Sequence, residues 1–206
     1  EFVAFLDHDD LLREHSLLRL AQTINKHPES KLIYTDEDKI DLLGKRVSPY
    51  FKPDWNPDLL LSQNYICHLC CIKTSVILEV SGFRKGYEGC QDWDLFLRVT
   101  ERIEDCEIIH IPEVLYHWRK VPVSTALTIS SKNYVYENTL KTINSALERR
   151  GINGSTVLTC KPNNYIKINY PLPPKESQPL VSILIPTRDC LNFLENCVIG
   201  ILQNTR

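Results

Sequence analysis

The stretch FVAFLDHDD, residues 2–10, runs five apolar residues directly into a histidine set among three aspartates. A short apolar run bounded by a turn is the pattern of a buried strand. Carboxylates crowded at the end of such a strand repel one another and lose hydration if they are buried. The stretch therefore predicts a strand that leads into a turn where a positive charge is needed.

Asp7 and Asp9 are the two aspartates of a DxD triplet in this turn. Residues i and i+2 of an extended segment point the same way, so both carboxylates can converge on one cation. Oxygen ligands suit Mg²⁺ or Mn²⁺, and open α/β sheets bind ligands at the C-terminal edge of their strands. The alternative is a solvated acidic turn in which Asp10 caps the next helix.

A second acidic feature is EGCQDWD, residues 88–94, in which Asp92 stands where a helix is predicted to begin. Asp92 is either the N-cap of that helix or a general base, because a carboxylate at a helix start stays ionised and can be aimed into a cleft.

The third feature is YHWR, residues 116–119. His117 is either a structural histidine or a further metal ligand beside carboxylates. Arg119 is either a partner in a surface ion pair or a forked contact to a phosphate group.

The composition of the 206-residue chain, with 43% apolar and 24% charged residues, is that of a globular protein. A net charge of −2 argues against nucleic acid as a partner, because nucleic-acid binding needs a basic face. No apolar run approaches the roughly 18 residues of a membrane span. The eight cysteines are interpreted as reduced thiols of a cytosolic protein, because a chain this rich in apolar residues needs no disulfide framework.

Three cysteines and a histidine, Cys67, His68, Cys70 and Cys71, fall close together in the segment ICHLCCI, residues 66–72, as zinc ligands can. A structural zinc site needs a second ligand pair on another segment, and none stands out. The segment is therefore interpreted as part of a buried strand.

Strand-like and helix-like segments alternate along the chain, which favours an α/β layer architecture. The predicted strands are 2–6, 31–35, 65–72, 106–111 (ended by Pro112), 155–160, 164–169 and 180–185. The predicted helices are one through Leu17–Ile24 that ends at His27–Pro28, then 74–80, 92–101, 130–150 and 191–203. Residues 41–63 are predicted to form a long ordered loop, and such loops are often functional.

Taken together, these motifs resemble the family 2 glycosyltransferases, which have the GT-A fold. FVAFLDHDD resembles the strand and DxD motif of that family, and EGCQDWDLFLR resembles the helix start that carries its base, with Gln91 where many members have Glu. HIPEVLYHWR resembles the closing motif whose histidine approaches the metal. YTDEDKID and PYFKPDWNPDLLLSQNYI resemble the variety found in bacterial rhamnosyl- and O-antigen transferases.

The resemblance implies that Asp7 and Asp9 hold Mg²⁺ or Mn²⁺, with Asp9 the closer ligand. It implies that Asp92 is the catalytic base and that His117 is a further metal contact. Further implied substrate-binding residues are Asp36, Trp55, Gln91, Trp93 and Arg119, although the tryptophans can equally be core anchors. The implied reaction is inverting transfer of a sugar from a nucleotide-diphosphate donor to a glycan or lipid-linked acceptor, in surface polysaccharide biosynthesis, in the cytoplasm or peripheral to the inner membrane face.

The resemblance also divides the chain. Residues 1–150 resemble the C-terminal part of one GT-A domain, and residues 151–179 are predicted to form a hairpin and a linker. Residues 180–206 resemble the opening strand and helix of a second GT-A domain, with a nucleotide-binding loop at Pro186, Thr187 and Arg188. The nucleotide-binding half of the first domain would precede residue 1, so the chain is interpreted as an N-terminally truncated fragment that is inactive by itself and binds metal weakly.

A truncated first domain would expose a sheet edge beside FVAFL, and such an edge invites another strand. Self-association through the strand predicted at 180–185 is therefore expected, either within the chain or with a neighbouring copy.

Two other functions fit part of the pattern. A Mg²⁺-dependent nucleotidyltransferase also pairs carboxylates with phosphates, but the chain has no matching glycine-rich phosphate loop, and this function leaves YHWR and QDWDL unexplained. The other alternative is a non-catalytic module that binds carbohydrate or acts as a scaffold while keeping the fold.

Overall fold

The computed structural model describes residues 1–120, 133–153, 156–160 and 165–205. These residues form two compact units, Glu1–Pro171 and Leu172–Arg206. The predicted helix at 130–150 and the predicted strands at 155–160 and 164–169 each begin outside the described residues.

The larger unit is built on a six-stranded mixed sheet with the order β1-β5-β3-β6-β2, and β4 pairs with β3. The two longest strands, β3 and β6, run parallel at its centre, and the other pairings are antiparallel. The strands are β1 Phe2–Ala4, β2 Leu11–Leu12, β3 Leu32–Ile40, β4 Arg46–Tyr50, β5 Cys70–Lys73 and β6 Ile108–Arg119. A separate antiparallel hairpin consists of β7 Thr156–Cys160 and β8 Tyr165–Asn169.

Helices flank this sheet, as the alternating pattern predicts. They are α1 Ser16–Lys26, α2 Pro57–Ser62, α3 Thr74–Glu79, α4 Gln91–Thr100 and α5 Asn133–Arg149, and α6 Leu191–Asn204 belongs to the smaller unit. Short 3₁₀ turns occupy Asp105–Glu107 and Lys175–Ser177. Within the described part of the chain, every helix is too short or too polar to cross a membrane.

The core lies on both faces of the central strand. Leu32, Ile33 and Tyr34 of β3 are all fully buried, although successive residues of a strand point to opposite faces. One face packs on an apolar cluster that includes Phe96 of α4. The other face packs on a smaller cluster with Leu20 of α1. Because β3 is buried on both faces, it is a rigid support for the residues at its C-terminal end.

The central strands are longer than the sequence predicts. β3 continues through Asp36–Asp38 to Ile40, because these three acids find partners elsewhere in the chain, among them Lys52 and Arg46. β6 continues past Pro112 to Arg119, because its pairing with β3 shifts register between Ile111 and Val114. An irregularity of this kind is one of the places where a strand tolerates proline.

Two other predictions are wrong in detail. The predicted long loop at 41–63 contains β4 and α2, and Asn56 caps α2 by accepting a hydrogen bond from the Leu59 amide. The predicted buried strand at 2–6 is an edge strand that pairs with β5 alone, so Val3 and Leu6 are exposed.

The smaller unit contains α6 as predicted, but residues 180–185 have no regular secondary structure. Leu180 is 96% exposed and Leu184 is 91% exposed. A strand needs a hydrogen-bonded neighbour, so an apolar sequence alone does not form one.

Candidate metal and catalytic site

The acidic turn after β1 is tied to the long strand β6 by one tyrosine. The Tyr116 hydroxyl donates a hydrogen bond to Asp10 Oδ2 at 2.5 Å and accepts one from the Asp7 amide at 3.2 Å. Asp10 Oδ1 also accepts the Arg119 amide at 2.7 Å. Asp10 is therefore a buried anchor of the turn and does not cap the following helix, which begins at Ser16 with His15 at its N-cap.

His68 joins this turn from the segment before β5. Its Nε2 lies 3.6 Å from Asp7 Oδ2, and its ring stacks on Tyr116 with 4.7 Å between the centroids. The edge of Trp118 meets the same ring at 6.0 Å. His68 Nδ1 is buried and has no hydrogen-bond partner among the described residues. The imidazole is thus fixed by packing, with its Nε2 close to the Asp7 carboxylate.

Asp7, Asp10 and His68 form a group that fits a divalent cation, since one ligand atom from each lies within 4.8 Å of the other two. Two atoms bound to one cation at about 2.1 Å can be at most about 4.2 Å apart, so small side-chain rotations would complete the site. Two carboxylates and an imidazole suit Mn²⁺ better than Mg²⁺, which prefers oxygen ligands alone. Among the described residues, this is the one such group of acidic, histidine or cysteine side chains.

Asp92 lies near this group, at the second residue of α4. The N-cap of α4 is Cys90, so Asp92 does not have the capping role that is the alternative to a catalytic one. The Asn64 amide donates to Asp92 Oδ2 at 2.7 Å. Burial raises the pKa of the Asp92 carboxyl, while hydrogen bonds from Trp93 and Asn64 and the nearby His68 oppose the rise. A half-buried carboxylate with a raised pKa is suited to take up a proton.

The carboxylates around His68 have no cationic side chain as an ion-pair partner: in the part of the chain that the structure describes, no lysine or arginine forms an ion pair with Asp7, Asp9, Asp10 or Asp92. Arg119 is nearby, but its guanidinium bonds to the Asp9 carbonyl oxygen. Burial is the largest cause of the raised pKa of Asp10, and the neighbouring Asp9 adds to it. A cation bound here would reduce the repulsion between these carboxylates. The sequence of the turn predicts such a positive charge.

The three acids near the end of β3, in contrast, are all bonded to other groups of the protein. Asp36 Oδ1 accepts the Lys52 amide at 2.9 Å and lies 2.9 Å from His110 Nε2. Glu37 pairs with the ammonium group of Lys52, and Asp38 pairs with Arg46. These carboxylates are buried and matched, so Asp36, predicted to bind substrate, is held inside the protein by other contacts.

His117 and Asp9 are not members of the group formed by Asp7, Asp10 and His68. His117 Nδ1 is 2.5 Å from Asp38 Oδ1. Successive residues of a strand point to opposite faces, so the contact of Tyr116 with the acidic turn directs His117 to the other side of the sheet. Asp9 is half-exposed, and its carbonyl oxygen accepts a hydrogen bond from Arg119 Nε at 2.6 Å. Arg119, predicted to contact phosphate, therefore braces the turn.

The other predicted substrate-binding residues are dispersed. Trp93 is 7% exposed and donates its indole N–H to the Leu60 carbonyl, so it is a core residue. Trp55 packs against the same core and donates to Asp105 Oδ1. Gln91 is exposed, and its side chain accepts the Gly89 amide. Residues 186–188, predicted to bind a nucleotide, are exposed in the smaller unit.

Sequence reasoning missed His68 and the role of Asp10. Both residues lie in segments that it examined, but it interpreted the histidine as part of a buried strand. The available signal was an imidazole within an otherwise apolar run. The zinc interpretation of that run finds no support among the described side chains, where Cys67, Cys70 and Cys71 are free thiols.

No protein-family model matches the chain. It is 46% identical over 205 residues to "uncharacterized protein y4gI" of Sinorhizobium fredii, covering 99% of this chain and 22% of that relative. It is 35% identical over 206 residues to "O-antigen biosynthesis protein RfbC" of Myxococcus xanthus, covering the whole chain and 16% of that relative. The chain thus spans about a fifth or less of the length of both curated relatives.

A solved structure shares the fold. It is that of S. aureus TarS residues 1–349 in complex with UDP-GlcNAc, with a TM-score of 0.52 and 16% identity over 71% of this chain and 42% of TarS. This similarity confirms the predicted fold class, a mixed α/β sheet flanked by helices.

Proposed function

We propose that the chain is part of a glycosyltransferase of polysaccharide biosynthesis, which transfers a sugar from a nucleoside-diphosphate donor to a glycan or lipid-linked acceptor. The observation that carries the proposal is the uncompensated group of carboxylates around His68, at the end of a strand in a fold shared with a protein that binds a sugar nucleotide. The name of the relative from Myxococcus xanthus supports the pathway.

The site we propose for the cation consists of Asp7, Asp10 and His68. A divalent cation at this position would neutralise the charge that develops on the diphosphate leaving group. Three protein ligands leave coordination positions open for phosphate oxygens. We retain Asp9 as a candidate fourth ligand, because the resemblance to family 2 enzymes favours it and its carboxylate is half-exposed beside the group.

Asp92 is the proposed general base. In its ionised form it would accept the proton of the acceptor hydroxyl while the oxygen attacks the anomeric carbon on the side opposite to the diphosphate. Attack from the opposite side inverts the anomeric configuration. The Asn64 amide donates to one carboxylate oxygen and so helps to hold the Asp92 side chain in position. A positioned base contributes about 10²- to 10⁴-fold to the rate of such a step.

The experiment is an assay of nucleoside-diphosphate release by the full-length protein from UDP-GlcNAc and other sugar nucleotides. We expect release from at least one donor, and we expect Asp92→Asn to reduce turnover about 10²-fold or more. Circular dichroism would establish that the variant is folded. Binding of the sugar without release in any combination of donor and acceptor would favour the non-catalytic carbohydrate-binding alternative.

We also propose that the exposed apolar segment at 180–185 mediates self-association. Ile183 is 55% exposed within it. Sedimentation velocity should show a concentration-dependent dimer that Ile183→Asp weakens, whereas a monomer at all concentrations would contradict this proposal.

A further inference from the structure

We propose that the buried ion pair between Lys52 and Glu37 is a clamp that positions His68 for the cation, an inference that rests on the proposed metal site. The Lys52 ammonium group bonds to Glu37 Oε2 at 3.0 Å, to the Ile66 carbonyl at 2.7 Å and to the His68 carbonyl. Glu37 Oε2 also accepts the His68 amide at 3.2 Å. Both backbone polar groups of His68 are therefore held by this one pair.

The Lys52 ammonium group of the clamp is fully buried and fully hydrogen-bonded. The Lys52 side chain has no exposed surface, and that of Glu37 is 5% exposed. An ammonium group has three N–H donors, and each of the three has an acceptor here. Burying a lysine is costly unless it is paired and hydrogen-bonded. Two of the three acceptors are the carbonyls of residues 66 and 68, so the buried ammonium group mainly fixes this one segment.

The backbone that the clamp holds has an unusual conformation, which needs support from its surroundings. Cys67, between the two clamped carbonyls, has φ of +41°, in the left-handed region that residues other than glycine seldom adopt. Backbone in such a conformation persists only where its surroundings fix it. Lys52 is itself fixed to β3, since its amide donates to Asp36 Oδ1. The rigid central strand thus sets the position of the imidazole.

A second buried cation in the chain provides a matched control. Arg98 bonds to Asp94 and to two backbone carbonyls, those of Val80 and Gly82, as Lys52 bonds to Glu37 and two carbonyls. Replacement of either cation by methionine removes an ion pair and two carbonyl contacts, although Asp94 keeps its ion pair with Arg84. The clamp holds His68, whereas Arg98 holds a turn that lacks any proposed ligand of the cation.

The experiment is a Mn²⁺ titration followed by electron paramagnetic resonance, with spin-echo modulation to detect a coordinated imidazole nitrogen. The probe is Mn²⁺ alone, taken to millimolar concentration. We expect Lys52→Met to weaken Mn²⁺ binding about 10- to 100-fold, as loss of a group that orients a metal ligand typically does. We expect the imidazole modulation to fall with it. Arg98→Met should retain both signals, although it also removes a buried cation with two carbonyl contacts.

Lys52→Met leaves the Glu37 carboxylate buried without its cation, so the double variant Lys52→Met/Glu37→Gln is measured as well. In it the charge is removed, and the glutamine oxygen can still accept the His68 amide. A folded double variant with unchanged Mn²⁺ affinity and imidazole modulation would overturn the clamp alone. Absence of imidazole modulation in the unmodified protein would overturn the proposed metal site, and the clamp with it.

Discussion

The Tyr116 hydroxyl donates a hydrogen bond to Asp10 Oδ2 at 2.5 Å while the same ring stacks on His68. One side chain of β6 therefore fixes two of the three proposed ligands of the cation. Asp10 and His68 come from segments far apart in the chain, and the central sheet brings both to this tyrosine.

The first prediction concerns that hydroxyl. Tyr116→Phe keeps the stacked ring but removes the hydrogen-bond partner of Asp10 Oδ2 and of the Asp7 amide. We therefore expect about 1–3 kcal/mol less stability. Mn²⁺ affinity should fall about 10-fold, because Asp10 is no longer oriented. Tyr65→Phe is the control, since its buried hydroxyl accepts the Asn56 amide and has no contact with the turn. Equal Mn²⁺ affinity in the two variants would show that the hydroxyl is only structural.

The second prediction compares neighbouring aspartates. Asp10→Asn and Asp9→Asn each remove one negative charge from the same turn, so long-range electrostatic effects are matched. We expect Asp10→Asn to weaken Mn²⁺ binding at least tenfold more than Asp9→Asn, measured by calorimetric titration. A larger loss of Mn²⁺ affinity in Asp9→Asn than in Asp10→Asn would assign the metal to Asp7 and Asp9, as the resemblance predicts. Asp10 would then not be a ligand.

The third prediction concerns pH. Burial raises the pKa of Asp92 above the ordinary value of 3.8, and a general base must be ionised to act. Turnover should therefore fall as the pH drops through this raised pKa, with the acidic limb above the range of an exposed aspartate. Because the folded state binds the proton more tightly than the unfolded chain, Asp92 should also reduce stability as the pH rises through the same pKa. Asp92→Asn should abolish both effects, and a turnover limb that persists in the variant would assign it to another group.

Much of this site follows from the sequence, and what does not follow has a physical cause. The turn after FVAFL and the helix at Asp92 are local patterns, so a reading of short segments finds them. The clamp between Lys52 and Glu37 depends on packing between distant segments, which no local pattern records. The resemblance of HIPEVLYHWR to a family motif predicts His117 as a metal ligand, but neighbouring strand residues face opposite sides of the sheet, and it is Tyr116 that contacts the acidic turn.

The fourth prediction separates a core residue from a substrate platform. Trp93→Phe removes the hydrogen bond to the Leu60 carbonyl and leaves a small cavity, so we expect a loss of about 1–4 kcal/mol in the free energy of unfolding. The KM for the sugar nucleotide should stay within twofold, because the ring is buried in the core. A raised KM with unchanged stability would instead support stacking of the ring on substrate.

A cation-dependent site is tested most directly by nucleoside-diphosphate release from the full-length protein after removal of divalent cations with a chelator. We expect release to stop without the cation and to return as Mn²⁺ is added. Asp10→Asn should shift the required Mn²⁺ concentration upward at least tenfold. Release that continues at the full rate in the chelator, or a Mn²⁺ requirement that is unchanged by Asp10→Asn, would contradict a cation-dependent transferase site at Asp7, Asp10 and His68.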